Sequence, residues 1–251
     1  MSRKPVSAIM LTLLLMSMLT LAFNIQPVKA SGIIYIRADG SVDPPTAPIS
    51  TLDNVTYALT GNITSDADGI VVERDNIIVD GAGYTLQGTG VYPTNGISLT
   101  GRSNVTVKST SIEDFWFGIY TGTDGSSNNS IIENNIANNG GGIWLGPCSN
   151  NSISGNSITN NSNGIYLEHY SNCNSILGND VTNNGDGIWI WESSNNTVSG
   201  NNITNNSGYG SINLRARALG RPVQKGVSPL EFVRQGTWVG DNLSWERAWS
   251  I

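Results

Sequence analysis

Apolar residues along most of this chain fall in short alternating pieces, not at helical spacing. Pieces such as Ile-Tyr-Leu and Ile-Ser-Gly are split by Asn and Gly. Period-two alternation predicts strands, and Asn and Gly are residues that turn a chain at positive φ. The pieces recur. Four lines align: Asn129-Ser-Ile-Ile-Glu-Asn-Asn-Ile-Ala-Asn-Asn139, Asn151-Ser-Ile-Ser-Gly-Asn-Ser-Ile-Thr-Asn-Asn161, Asn174-Ser-Ile-Leu-Gly-Asn-Asp-Val-Thr-Asn-Asn184 and Asn196-Thr-Val-Ser-Gly-Asn-Asn-Ile-Thr-Asn-Asn206. Gly-Ile-aromatic steps begin at Gly118, Gly142, Gly164 and Gly187, with spacings of 24, 22 and 23 residues. A fixed period in this range marks a repeat architecture.

The composition of the repeat selects the solenoid. Its density of Gly, Asn and Ser excludes helical repeats, and its scarcity of Leu excludes leucine-rich repeats. Three short strands and three turns fit one coil of 22–24 residues. The predicted fold is all-β: a right-handed, single-stranded parallel β-helix, its coils about 4.8 Å apart. One coil buries too little to offset its chain entropy, so stability must come from stacking. Three columns are therefore expected: Ile131, Ile153, Ile176 and Val198; Ile136, Ile158, Val181 and Ile203; and Asn134, Asn156, Asn179 and Asn201. The Asn column would pass amide hydrogen bonds from coil to coil.

Upstream the period persists with weaker identity. Val107 and Ile112 lie 24 residues before Ile131 and Ile136, and Gly96-Ile97 lies 22 before Gly118-Ile119. Asn76 to Leu86 reads as strand, Gly turn, strand. Residues of about 33–75, with the extended piece Ile33–Ile36 and a Pro-rich loop at Pro44–Pro48, read as an N-terminal cap.

The flanks read differently from the repeat. Residues 1–30 have Arg3 and Lys4, an uncharged apolar run from Ile9 to Phe23, and Val28-Lys29-Ala30. This is the layout of a signal peptide cleaved after Ala30, and the run is short for a membrane anchor. All four Met residues lie in this segment. The β-helix domain spans 31–208. Residues 209–251 form a non-repeat tail: either a C-terminal cap or, the favoured reading, a truncated or out-of-frame end. From Ser31 to Gly210 there are four basic and sixteen acidic residues. That balance argues against nucleic acid and against anionic lipid, which need a positive field.

Together, Asp68-Gly-Ile-Val-Val, Ile77-Ile-Val-Asp-Gly-Ala-Gly83 and repeats of the Asn163-Gly-Ile-Tyr-Leu167 and Asn150-Asn-Ser-Ile-Ser-Gly-Asn156 type carry a resemblance. Over about residues 33–208 the chain resembles the NosD-like right-handed β-helix repeat proteins. These include the carbohydrate-binding and sugar-hydrolysis type of domain common on archaeal cell surfaces. The resemblance implies an exported β-helix. It also brings two activities into view, copper delivery in the family's namesake and polysaccharide cleavage or epimerisation in distant relatives. It places no catalytic residue on this sequence.

Strand alternation puts the Ile of each Gly-Ile-aromatic step inside and the aromatic outside. Tyr120, Trp144, Tyr166 and Trp189 should form one external column, with Trp191 beside it. Such a column either stabilises the stack or offers flat faces to sugar rings. Glu168, His169 and Glu192 on adjacent coils, with Asp180 and Asp186 near turns, are the acid–base candidates, yet they repeat no catalytic signature. Cys148 and Cys173 read as two inert thiols, as a disulfide, or with His169 as a metal site. Acidic turns lack the Gly-Gly-x-Gly-x-Asp calcium pattern. Sequons Asn54, Asn62, Asn104, Asn150 and Asn202 allow glycosylation, although a repeat built on Asn, Ser and Thr makes such triplets by composition.

The reading is a secreted or cell-surface β-helix module that contacts a polysaccharide or other glycan, with no catalytic residues, metal or cofactor. A polysaccharide lyase, hydrolase or epimerase is the alternative, and a NosD-type periplasmic copper accessory protein the second. The mature chain is not expected to insert into a membrane.

Overall fold

The computed structural model describes residues 32–208 and, beyond them, the backbone of the strands Ile212–Arg215, Phe232–Val233 and Ala248–Ser250. The segment expected to be a signal peptide lies outside the described residues. The protein is an all-β, right-handed parallel β-helix of about six turns. Each coil gives one strand to each of three sheets. In the central coil these are Gly141–Leu145 in sheet 1, Ser152–Ser154 in sheet 2 and Ser157–Thr159 in sheet 3.

The expected columns form. Ile131 pairs with Ile153, Ile153 with Ile176 and Ile176 with Val198. Ile136, Ile158, Val181 and Ile203 align likewise in sheet 3. Ile131, Ile136, Ile153 and Ile158 are fully buried. The Asn column at Asn134, Asn156, Asn179 and Asn201 also forms, and it is one of three. The others are Asn129, Asn151, Asn174 and Asn196, and Asn139, Asn161, Asn184 and Asn206.

Asn156 shows how each rung works. Its Oδ1 accepts from the backbone N–H and the Nδ2 of Asn134, both at 3.0 Å. Its own Nδ2 donates to Asn179 Oδ1 at 2.9 Å and to the Ile131 carbonyl at 2.9 Å. The side chain thus supplies the corner's backbone groups, which no strand pairs. Upstream the ladders end on the backbone N–H groups of Val105, Thr110 and Phe115, which donate to Asn129, Asn134 and Asn139.

Gly is required where strands of sheet 1 begin. A Cβ on Gly142 would stand 2.5 Å from the Gly164 carbonyl oxygen and 2.8 Å from Ile158 Cγ2. Gly118 and Gly164 meet the same obstruction one rung away.

The N-terminal part differs from the sequence-based expectation. Thr56–Leu59, Ile63–Thr64 and Ile70–Val72 already pair in parallel with the following coil. Within the stretch read as a cap, about 33–75, a coil therefore begins at Thr56. The antiparallel departures are Val42–Asp43 against Ile34–Ile36 and Ile49–Ser50 against Thr56–Leu59. Buried Tyr57 holds this cover by donating its hydroxyl to the Gly40 carbonyl at 2.9 Å. Arg37 adds ion pairs to Asp43 and Glu73.

The parallel pattern also runs past Gly208. Ile212–Arg215 pairs in parallel with Asp186–Trp191, and Ala248–Ser250 pairs antiparallel with Thr197–Ser199.

Candidate functional site

Sheet 1 has the longest strands and carries the aromatic residues. In Gly141–Leu145, Ile143 and Leu145 point into the core and Trp144 points out. Tyr120 is in register with Trp144, Trp144 with Tyr166 and Tyr166 with Trp189, while Trp191 is in register with Glu168. The five residues singled out from the sequence therefore lie on one outer face.

The rings form two groups along it. Tyr120 and Trp144 stack, with centroids 4.6 Å apart and planes at 12°. Tyr166 and Trp189 lie 5.3 Å apart, tilted by 56°. Trp144 is only 7% exposed, so its role is largely packing. Tyr120, Tyr166, Trp189 and Trp191 are half-buried and present part of each ring to solvent.

Three aromatic residues were missed from the sequence. Phe117 stacks on Tyr120 at 5.4 Å and on Trp144 at 5.8 Å. Trp116 meets Phe117 at 6.2 Å, and Tyr92 meets Trp116 edge-on at 4.8 Å. They occupy no repeat position. The signal that could have found them is Gly140-Gly141-Gly142: a Cβ on Gly141 would lie 2.7 Å from Phe117 Cδ1, and one on Gly140 would lie 3.3 Å from Trp116 Cε3.

Polar groups flank the rings. Burial, then the hydrogen bond to Glu168, pushes the Tyr166 phenol well above its ordinary value. Burial, then the charges of Glu168 and Asp124, raises Tyr120 as well. Both phenols stay protonated donors at neutral pH. His169 sits between two carboxylates, with Nδ1 3.6 Å from Glu192 Oε2 and Nε2 3.8 Å from Glu168 Oε2. Its ring also lies 4.9 Å from that of Trp191. Glu168, His169 and Glu192 are thus brought together. Asp180 is engaged elsewhere, on sheet 3, where Asn202 Nδ2 donates to it at 2.9 Å.

The cysteines separate. Cys148 is buried, its Sγ 3.7 Å from Ser171 Oγ; Cys173 is exposed, in a left-handed conformation at a corner. Both are free. One faces the core and the other solvent, so the disulfide and the cluster with His169 do not form. Burial raises the Cys148 thiol to about 11. At pH 8, iodoacetamide should label one cysteine per folded chain, Cys173, and two after unfolding. Equal labelling of both in the folded protein, read by peptide mass spectrometry, would contradict this placement.

Parallel coils, inner asparagine ladders and an aromatic outer sheet define a parallel β-helix repeat protein. The family of the periplasmic copper-binding protein (NosD) matches residues 58–217. That span is more than half of the 251 residues, and the chain belongs to this family. No curated protein matches the chain.

Copper prefers Cys, His or Met donors. Among the described residues there is no Met, one His, flanked by carboxylates, and two Cys, of which Cys148 is buried and Cys173 exposed. Among them also, no group of three or more His, Cys, Asp or Glu is placed to hold a metal ion. The donor set does not fit the copper of the family's description.

Proposed function

We propose that this is an exported β-helix module that binds polysaccharide along the outer face of sheet 1. The observation that carries the reading is the register of Tyr120, Trp144, Tyr166 and Trp189 on one face. Phe117 adds to it, and Glu168, phenol hydroxyls and Trp191 lie alongside. Sugar rings pack their C–H faces on aromatic rings and hydrogen-bond at their rims, and this face offers both kinds of contact. Export is supported by the leader-like segment and by the family's periplasmic description.

Replacing Tyr166 and Trp189 by Ala should cut retention on an insoluble polysaccharide at least about tenfold, roughly 1.4 kcal/mol. Circular dichroism should not change, because both rings are on the surface. Trp189→Phe should keep most of the retention. Retention unchanged in the double variant rejects the proposal.

Two other activities are distinguished by the same preparation. A hydrolase or lyase would release reducing ends or unsaturated sugars from the retained polysaccharide. Copper binding, which the family description favours and the donor set opposes, would appear as stoichiometric copper after equilibrium dialysis.

A further inference from the structure

The corner joining sheet 1 to sheet 2 carries a feature that neither the core nor the aromatic face uses. In successive coils it is occupied by Asn54, Asn76, Asn104, Asn128, Asn150, Cys173 and Asn195. All seven are exposed, and all have a left-handed backbone with φ of 55, 61, 58, 57, 58, 57 and 59°. Two residues further on, the strand of sheet 2 begins. Thr56, Thr106, Ser130, Ser152 and Thr197 stand there, on its outer side. Asn54, Asn104, Asn128, Asn150 and Asn195 are therefore each the first residue of an Asn-x-Ser/Thr triplet. At the remaining two rungs one element is missing: Ile78 replaces the hydroxyl after Asn76, and Cys173 replaces the asparagine.

We propose that this ridge is a row of N-linked glycan attachment sites. Conformation alone does not require asparagine there. At the next corner the same left-handed backbone is supplied by Gly155, Gly178 and Gly200, at φ of 65, 62 and 64°. No Asn-x-Ser/Thr triplet starts at those three residues. The third corner also uses asparagine, at Asn138, Asn160, Asn183 and Asn205 with φ of 59, 56, 58 and 56°, but a hydroxyl follows two residues on only at Asn160 and Asn205, whereas the first corner pairs the two at five of its seven rungs. The finished linkage fits the fold, because each ridge side chain faces solvent while the following Val105, Asn129, Asn151 or Asn196 carries the burial.

In the transfer step the Asn Nδ2 forms a bond to the anomeric carbon of a lipid-phosphate-linked oligosaccharide. The bond from that carbon to the phosphate oxygen breaks, and the lipid phosphate leaves with the electron pair. One amide proton passes to a base of the transferring enzyme. The step needs an exported chain and such a donor; it does not depend on the aromatic face binding anything.

Stacking then grades occupancy. Rungs are about 4.8 Å apart, narrower than a branched glycan. Asn128 has an acceptor on either side, at Asn104 and Asn150. Asn54 and Asn195 adjoin the non-acceptor rungs of Asn76 and Cys173. Occupancy should be highest at Asn54 and Asn195 and lowest at Asn128.

The test is peptide mass spectrometry of the full chain purified from its native host, with and without removal of N-linked sugar. Sugar-bearing peptides at the ridge asparagines are expected. Thr106→Ala and Ser130→Ala should lose the sugar at Asn104 and Asn128 while leaving circular dichroism and the two asparagines untouched. A purely conformational role would be indifferent to those hydroxyls. Unmodified asparagine at all five ridge positions, or sugar confined to Asn62, Asn160, Asn202 and Asn205, overturns the proposal.

Discussion

Replacing Asn156 by Leu should destabilise the protein by about 3–5 kcal/mol, although the shape is nearly conserved. The change removes the acceptor of two Asn134 donors and the donor to the Ile131 carbonyl. Asn156 is 1% exposed, so water cannot take over these bonds. Each buried group left without a partner costs about 1–3 kcal/mol. The control is Asn150→Gly. Asn150 is exposed with φ of 58°, a backbone that Gly adopts freely, so its replacement should stay within about 0.5 kcal/mol. Urea unfolding of both variants decides the matter. Equal midpoints would mean that the ladder contributes little and that the apolar columns alone hold the stack.

Gly142→Ala should cost about 3 kcal/mol through one added methyl group. The methyl would sit 2.5 Å from the Gly164 carbonyl oxygen, a backbone atom held in the next rung. Sheet 1 would have to part locally to admit it. Gly178→Ala is the comparison. Its Cβ meets nothing within 4 Å, and its penalty is the left-handed backbone alone, about 1 kcal/mol. The order of the two urea midpoints tests whether close approach, not conformation, dictates glycine at the head of each sheet 1 strand. A Gly178 variant as unstable as the Gly142 variant would say that it does not.

The architecture was legible because stacking imposes one requirement on every coil. Ile153 must resemble Ile131 and Ile176, since it lies between them, and Asn156 must resemble Asn134 for the same reason. The aromatic register of Tyr120, Trp144, Tyr166 and Trp189 was legible on the same grounds. Features without a counterpart on the neighbouring rung were not. The coil starting at Thr56 has no inner asparagine, and Asn76 and Asn104 lie 28 residues apart, so its sequence resembles a cap more than a repeat. Tyr92, Trp116 and Phe117 each occur at one rung only. Spacing puts Cys148 and Cys173 on neighbouring coils, but one faces inward and the other takes the corner position of Asn150 and Asn195. Sequence spacing reports distance along the chain, and it reports direction only where the repeat is regular.

The asparagine ladders have a polarity that the sheets lack. In parallel sheets, strand dipoles largely cancel along the axis of stacking. The side-chain amides do not cancel: from Asn134 to Asn156 to Asn179 to Asn201 the amide carbonyls point toward the N-terminal coils, and Asn134, Asn156 and Asn179 each send one N–H toward the next coil while the other turns back to a backbone carbonyl. Three such files in parallel make the solenoid an axial electret, negative at its N-terminal end. The basic residues lie toward that end: Arg37, Arg74, Arg102 and Lys108 are all on the early coils, among eight carboxylates, whereas Glu113, Asp114, Asp124, Glu133, Glu168, Asp180, Asp186 and Glu192 follow with no Lys or Arg among them up to Gly208.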